Sequence, residues 1–120
     1  MNVLLIQEIA RLLVADGKGI LAADESTGTI SKKLETIDVE NTEFNRRLYR
    51  EILLTAPGME KYISGVIMFD ETIRQSTRAG VSFMKVLNYK GVIPVIKVDL
   101  GVKDMDGSSV EKITAGLEGL

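Results

Sequence analysis

The chain has neither cysteine nor histidine among its 120 residues. Their absence excludes disulfides, thiol nucleophiles, imidazole bases and the usual zinc sites, so any chemistry must rest on Asp, Glu, Lys, Ser, Thr, Tyr or backbone groups. A sequence without cysteine is also typical of a reducing compartment, and we expect the protein in the cytoplasm.

Long hydrophobic runs are absent as well. Every apolar run is far shorter than the roughly 18 residues that a membrane span needs. The chain also lacks an excess of one charge, because 15 Lys and Arg are interspersed with 17 Asp and Glu for a net charge of -2. No basic face forms, so we expect no membrane partner and no nucleic-acid partner. Single lysines could still hold an acidic small molecule.

What the sequence contains is the composition of an ordinary globular protein, 45% hydrophobic and 27% charged. Its length allows one small domain or a piece of a larger one. Apolar runs predict strands at residues 19–23, 63–69 and 92–98. Apolar residues three and four apart predict the helices between them. Their stripes are Leu5, Ile9, Leu12 and Leu13; Ile30, Leu34 and Ile37; Phe44, Leu48 and Ile52; and Phe83, Val86 and Leu87.

Further helical segments are expected from Thr72 and over the tail at residues 111–120. The charged residues of the segment 43–61 are expected on the outer face of their helix. Hydrophobic strands separated by helices indicate a parallel sheet covered on both faces. Two architectures fit, a small doubly wound sheet or part of a (β/α)8 barrel, and the length slightly favours the former because a barrel typically takes about 250 residues.

Polar residues follow each predicted strand, at the edge where parallel α/β proteins bind ligands. After the first strand, Asp24, Ser26 and Thr29 precede or open a helix. Hydroxyls and free N–H groups at a helix N-terminus make an anion pocket, but capping of the helix by Ser26 or Thr27 explains the same residues. Both interpretations remain open on the sequence.

The other two strand ends also carry charged groups. Lys97 lies between apolar neighbours, and the pattern is equally compatible with two roles for it. It could bind a phosphate, or it could form an interior ion pair with Asp24 or Asp99. Asp70 and Glu71 end the second strand. They could be active-site carboxylates, but the pattern favours a role as turn residues.

Five segments resemble, in order, the class I fructose-bisphosphate aldolase family. They are GKGILAADESTGT at residues 17–29, NTEFNRRLYREILLTAPG at 41–58, ISGVIMFDETIRQ at 63–75, GVIPVIKVDLGV at 91–102 and GLEGL at 116–120. The resemblance implies an α/β fold that is a partial (β/α)8 barrel, with its first three parallel strands and their helices. Residues 1–120 would be the N-terminal fragment of a single barrel domain.

The resemblance also implies roles for individual residues. Asp24 matches a catalytic aspartate beside the Schiff-base lysine. Ser26, Thr29 and Lys97 match residues that bind a sugar phosphate, and Lys33 matches a position near the rim that is often arginine. The implied activity is reversible cleavage of fructose 1,6-bisphosphate to dihydroxyacetone phosphate and glyceraldehyde 3-phosphate, without metal or cofactor, in a homotetramer.

In the family, the imine-forming lysine lies on the sixth strand and its proton-transfer partners on the fourth and fifth. These positions fall beyond residue 120, so we expect this chain alone to be inactive. Three strands also leave two hydrophobic edges, which favours association. The alternatives are a non-catalytic phosphate-binding α/β module and an inactive truncated product.

Overall fold

The computed structural model describes residues 2–119, and it contains five helices and five strands in that range. The helices are α1 (Val3–Leu13), α2 (Thr27–Glu35), α3 (Glu43–Leu54), α4 (Asp70–Ile73) and α5 (Phe83–Lys90), with a 3₁₀ turn at Met59–Lys61. The strands are β1 (Gly19–Ala23), β2 (Ile63–Met68), β3 (Ile93–Ile96), β4 (Val102–Asp104) and β5 (Lys112–Thr114).

The central element is a parallel sheet in the order β1-β2-β3. Side chains alternate between its faces. One face carries Val66 and Met68, which are fully buried with Phe83 and Leu87 of α5 and with Leu54 of α3. The three predicted strands and their parallel pairing are therefore confirmed.

Helices α3 and α5 each begin at a residue whose side chain caps them. Thr42 caps α3, since its side chain accepts a hydrogen bond from the amide of Asn45 at 3.1 Å. Ser82 caps α5 in the same way through the amide of Lys85 at 3.2 Å. Such caps satisfy N–H groups that have no partner within the helix.

The buried side of α3 was wrongly predicted. Phe44, Leu48 and Ile52 form the expected stripe but are 62%, 42% and 63% exposed, whereas Arg50 and Leu54 are buried. The expectation that all charged residues of 43–61 lie outside is therefore wrong for Arg50. The reason is that a carboxylate from α4 pairs with Arg50, so a charged side chain can enter the interior. Ile37 also lies beyond its helix and is exposed.

The tail is the second correction. The helix predicted over 111–120 is absent from the described part of that segment, and Leu120 lies outside it. Instead, β4 and β5 pair as an antiparallel hairpin, with Lys103 opposite Ile113. Gly107 and Gly116 have φ of 81° and 87°, which favours turns over helix.

The remaining differences are smaller. The helix expected from Thr72 begins at Asp70, and β3 ends before Lys97. Helices α3 and α5 pack on one face of the sheet in the described range. On the other face, Leu13 of α1 approaches Gly65, and Ile20 stays 45% exposed.

Gly65 sits where a side chain would collide. A Cβ at this position would lie 2.5 Å from Leu13 Cδ2 and 3.2 Å from the backbone oxygen of Ile93. We expect Gly65→Ala to lower the free energy of unfolding by about 1–3 kcal/mol, because the Leu13 side chain must move and the new Cβ also presses on the backbone oxygen of Ile93. Urea denaturation would measure this. Gly19→Ala is the matched control, since nothing lies within 4 Å of its Cβ. Equal stabilities of the two variants would contradict the prediction.

Candidate functional site

Asp24 and Lys97 meet at the carboxyl edge of the parallel sheet. Asp24 directly follows β1 and Lys97 directly follows β3, with β2 between them. The Lys97 Nζ lies 3.5 Å from Asp24 Oδ2, and the two side chains are 26% and 30% exposed. The Lys97 amide also donates to Met68 O at 2.9 Å, which fixes the backbone at the end of β3. The opposite charges therefore face each other at the carboxyl edge of the sheet, where a ligand can reach both.

The alternatives for Lys97 are resolved in part by this contact. Its ion-pair partner is Asp24, whereas Asp99 accepts a hydrogen bond from the amide of Gly101 at 2.8 Å. An ion pair with about a quarter of each side chain exposed does not exclude a ligand role, because both groups stay within reach of the solvent.

The hydroxyls after β1 are arranged differently from ordinary caps. Ser26 is the N-cap residue of α2, yet its side chain accepts no hydrogen bond from the helix amides. Instead its Oγ lies 3.2 Å from Thr29 Oγ1. The capping interpretation is thus wrong for the Ser26 side chain. The positive end of the helix and two hydroxyls that contact each other remain available to an anion.

Lys33 lies one turn further along α2 and bonds to the same loop. Its Nζ donates to Glu25 Oε2 at 3.1 Å and to the Tyr49 hydroxyl of α3 at 3.5 Å. The Tyr49 ring centroid lies 5.9 Å from the amine. The hydrogen bond to Glu25 is the main reason that the pKa of Lys33 lies above its usual value of 10.5. Neither Glu25 nor Tyr49 carries a sequence pattern that marks it as a partner of Lys33.

Asp70 and Glu71 do not join this site. Asp70 pairs with Arg74 on the surface, at 3.0 Å. Glu71 accepts hydrogen bonds from Arg46 at 2.9 and 3.0 Å and also from Arg50. The bonds from Arg46, and then those from Arg50, lower the pKa of Glu71 from 4.5 to about 2. Both carboxylates therefore belong to α4 and to its ion pairs, and not to the turn expected from the sequence.

The described residues, 2–119, include no cluster of three or more carboxylates close enough to hold a metal ion. Over the same range, no helix combines the length and the apolar character needed to cross a bilayer. The chemistry that the site offers is recognition of a hydroxylated anion by a lysine, a carboxylate, two hydroxyls and a helix N-terminus.

The sequence and the fold are both similar to those of known proteins of one family. The family model described as fructose-bisphosphate aldolase class-I matches residues 5–120. A probable fructose-bisphosphate aldolase class 1 of Xylella fastidiosa is 53% identical over 120 residues, which is 100% of this chain and 36% of that protein. The cytoplasmic isozyme of fructose-bisphosphate aldolase from Cicer arietinum is 60% identical over 104 residues, 87% of this chain and 29% of that protein.

A solved structure gives the same result in three dimensions. Fructose-bisphosphate aldolase from Plasmodium falciparum, crystallised in complex with TRAP and a small-molecule inhibitor, superimposes with a TM-score of 0.89 at 47% identity. The match covers 93% of this chain and 32% of that one. The chain thus spans about a third of the length of the relatives that it matches.

Proposed function

Because the chain belongs to the class I fructose-bisphosphate aldolase family, we propose that it supplies the N-terminal part of an enzyme that reversibly cleaves fructose 1,6-bisphosphate into dihydroxyacetone phosphate and glyceraldehyde 3-phosphate. Its fold is a partial (β/α)8 barrel with the first three parallel strands, and residues 1–120 are proposed to form one fragment of that single domain.

The observation that carries the proposal is the pairing of Asp24 with Lys97 at 3.5 Å on the ligand-binding edge of the sheet. An acid and a cation at the ends of two strands can hold a substrate that has both hydroxyls and phosphate. A site for an uncharged ligand has no need of a partly exposed lysine beside two hydroxyls and a helix N-terminus.

We assign the roles as follows. Asp24 is the catalytic residue and hydrogen-bonds substrate hydroxyls next to the reacting carbons. Ser26, Thr29 and Lys97 bind one phosphate group, and Lys33 belongs to the same phosphate site at the rim. We infer that the imine-forming lysine lies on a later strand, beyond residue 120. That amine would condense with the substrate ketone and release water. The protonated imine would then accept the electron pair of the C3–C4 bond as it breaks.

The assembly and location follow from the same proposal. The full barrel is proposed to act as a homotetramer in the cytoplasm, on a phosphorylated sugar and with neither a metal nor another cofactor. The cytoplasmic isozyme among the relatives supports this location. The 120-residue chain alone is proposed to be inactive, because the residue that forms the imine is supplied by the rest of the barrel.

A hybrid enzyme tests the proposal. It joins residues 1–120 of this chain to the remaining two thirds of the Xylella fastidiosa relative, which matches it over all 120 residues. We expect the hybrid to cleave fructose 1,6-bisphosphate and to give a stable adduct when dihydroxyacetone phosphate is trapped with borohydride. The isolated chain should do neither, as checked by a coupled assay and mass spectrometry.

The outcomes separate the alternatives. A borohydride adduct on a lysine of the isolated chain would show that the imine residue was misplaced. A folded hybrid that binds inorganic phosphate but has no activity would favour the non-catalytic phosphate-binding module. The intact relative serves as the reference for full activity.

A further inference from the structure

The pair formed by Glu25 and Lys33 lies directly beside the hydroxyls of the phosphate site. Glu25 is the neighbour of Ser26 in the chain. Thr29 and Lys33 are four residues apart on α2 and therefore lie on the same face of the helix. Since Ser26 Oγ contacts Thr29 Oγ1 at 3.2 Å, the carboxylate, the two hydroxyls and the amine occupy one side of the loop between β1 and α2.

The exposures of the two charges differ sharply. The Glu25 side chain is 11% exposed, whereas that of Lys33 is 52% exposed. A largely buried carboxylate keeps a strong field because little water screens it. Left unpaired, it would repel an anion that approaches the neighbouring hydroxyls. Among residues 2–119, Lys33 is the cation within 4.0 Å of this carboxylate.

Lys33 is also held in place by Tyr49 of α3. Its Nζ lies 3.5 Å from the Tyr49 hydroxyl, and the face of that ring lies 5.9 Å away. Both contacts direct the amine toward Glu25 and α3. An ammonium group has three donor hydrogens, and two of them are engaged by these partners.

We propose that Lys33 is a positioning residue that promotes phosphate binding by neutralising Glu25, without itself ligating the phosphate. Tyr49 keeps the amine in place for this task. The inference rests on the proposed function, because it takes the Ser26 and Thr29 hydroxyls to be the phosphate site. It changes the role of Lys33 from a ligand to a compensating charge.

The test is a pair of variants, Lys33→Met alone and Lys33→Met combined with Glu25→Gln. In the 120-residue chain, inorganic phosphate is titrated while the amide resonances of Gly28 and Thr29 are followed by NMR. In the hybrid enzyme, KM and kcat for fructose 1,6-bisphosphate are measured.

We expect Lys33→Met to weaken phosphate binding and raise KM about tenfold, the scale of one uncompensated charge at a partly exposed site. The double variant should return to within about twofold of the unchanged protein, since neither charge remains.

Two controls make the result specific. Lys32→Met removes the same charge from the exposed neighbouring position, and it should change KM less than twofold. Lys33→Arg keeps the cation and should retain binding. A structural role of the ion pair is tested separately, because an unpaired, largely buried Glu25 would also weaken the fold and Glu25→Gln would relieve that effect. The urea midpoint of Lys33→Met should equal that of the unchanged protein. A lowered midpoint that Glu25→Gln restores would assign the pair a structural role and overturn the proposal.

The remaining outcomes count against the proposal. If the double variant stays as weak as Lys33→Met, Lys33 is itself a phosphate ligand and the inference is wrong. If Lys33→Met binds normally, Glu25 does not oppose the phosphate and the inference is again wrong. If the unchanged hybrid enzyme is inactive and the unchanged chain binds no phosphate, the proposed function fails and the inference fails with it.

Discussion

Replacing Glu71 by glutamine is expected to lower the free energy of unfolding by about 3–5 kcal/mol. The reason is Arg50, whose guanidinium is 2% exposed and pairs with Glu71. Breaking a buried ion pair from one side leaves the other charge uncompensated, and this costs about 3–5 kcal/mol. Glutamine keeps the shape of the side chain, so the loss of stability measures the effect of removing the negative charge of Glu71. Gln75 Oε1, at 3.0 Å from Arg50 Nη1, supplies a hydrogen bond but no negative charge.

The pH dependence of stability gives an independent measure of the same pair. The pKa of Glu71 falls from 4.5 to about 2 through the hydrogen bonds from Arg46 and then Arg50. Since the folded-state value lies below the unfolded one, the contribution is fully present above pH 4.5 and is lost as the pH falls toward 2. A shift of this size corresponds to about 3 kcal/mol. The unchanged chain should lose it in this window, and Glu71→Gln should not.

The measurement is urea denaturation of the hybrid enzyme followed by circular dichroism. Asp70→Asn is the matched control, because its carboxylate is 57% exposed and pairs with Arg74 on the surface. Such surface pairs contribute about 0–1 kcal/mol. A Glu71→Gln variant within 1 kcal/mol of the unchanged protein would show that Arg50 tolerates burial without its carboxylate.

Replacing Lys97 by methionine in the hybrid enzyme is expected to lower kcat/KM at least a hundredfold. Lys97 would lose its charge-assisted hydrogen bond to the substrate phosphate, which is worth about 1.5–3 kcal/mol. The loss also unpairs Asp24, whose Oδ2 lies 3.5 Å from the amine. The lost phosphate contact is made in the ground state as well and should raise KM, whereas the loss of the partner that positions the catalytic Asp24 should lower kcat.

Steady-state kinetics with fructose 1,6-bisphosphate measures this prediction. Lys18→Met is the control, because Lys18 is an exposed residue before β1, at the opposite end of that strand from Asp24. It should leave kcat/KM within about twofold. A Lys97→Met hybrid within threefold of the unchanged hybrid would separate this lysine from the phosphate site, while the family membership of the chain would stand.

The strands and their parallel order could be predicted because their signal is local. Residues 19–23 form one apolar run ending at Asp24, and β1 has the same bounds. The common edge for Asp24 and Lys97 then follows from the topology alone, because all strands of a parallel sheet end on one side. The distance between the two side chains required coordinates.

The failures at α3 and at the loop before α2 have one physical source, which is that periodicity does not identify what a face packs against. The stripe through Phe44 and Ile52 has helical spacing but lies on the exposed side of α3. Arg50 enters the interior because Glu71, 21 residues later, supplies its partner. The contact between Glu25 and Lys33 also depends on the exact turn of the chain into α2. Neither pairing has a local signature in the sequence.

The first turn of α2 lacks the side-chain acceptor that Thr42 provides for α3 and Ser82 for α5. Ser26 directs its oxygen to Thr29 and leaves the leading amides without it. On the proposed function, the substrate itself would complete this helix. Substrate binding would then stabilise the first turn of α2. Without substrate this turn would be less ordered than in the complex.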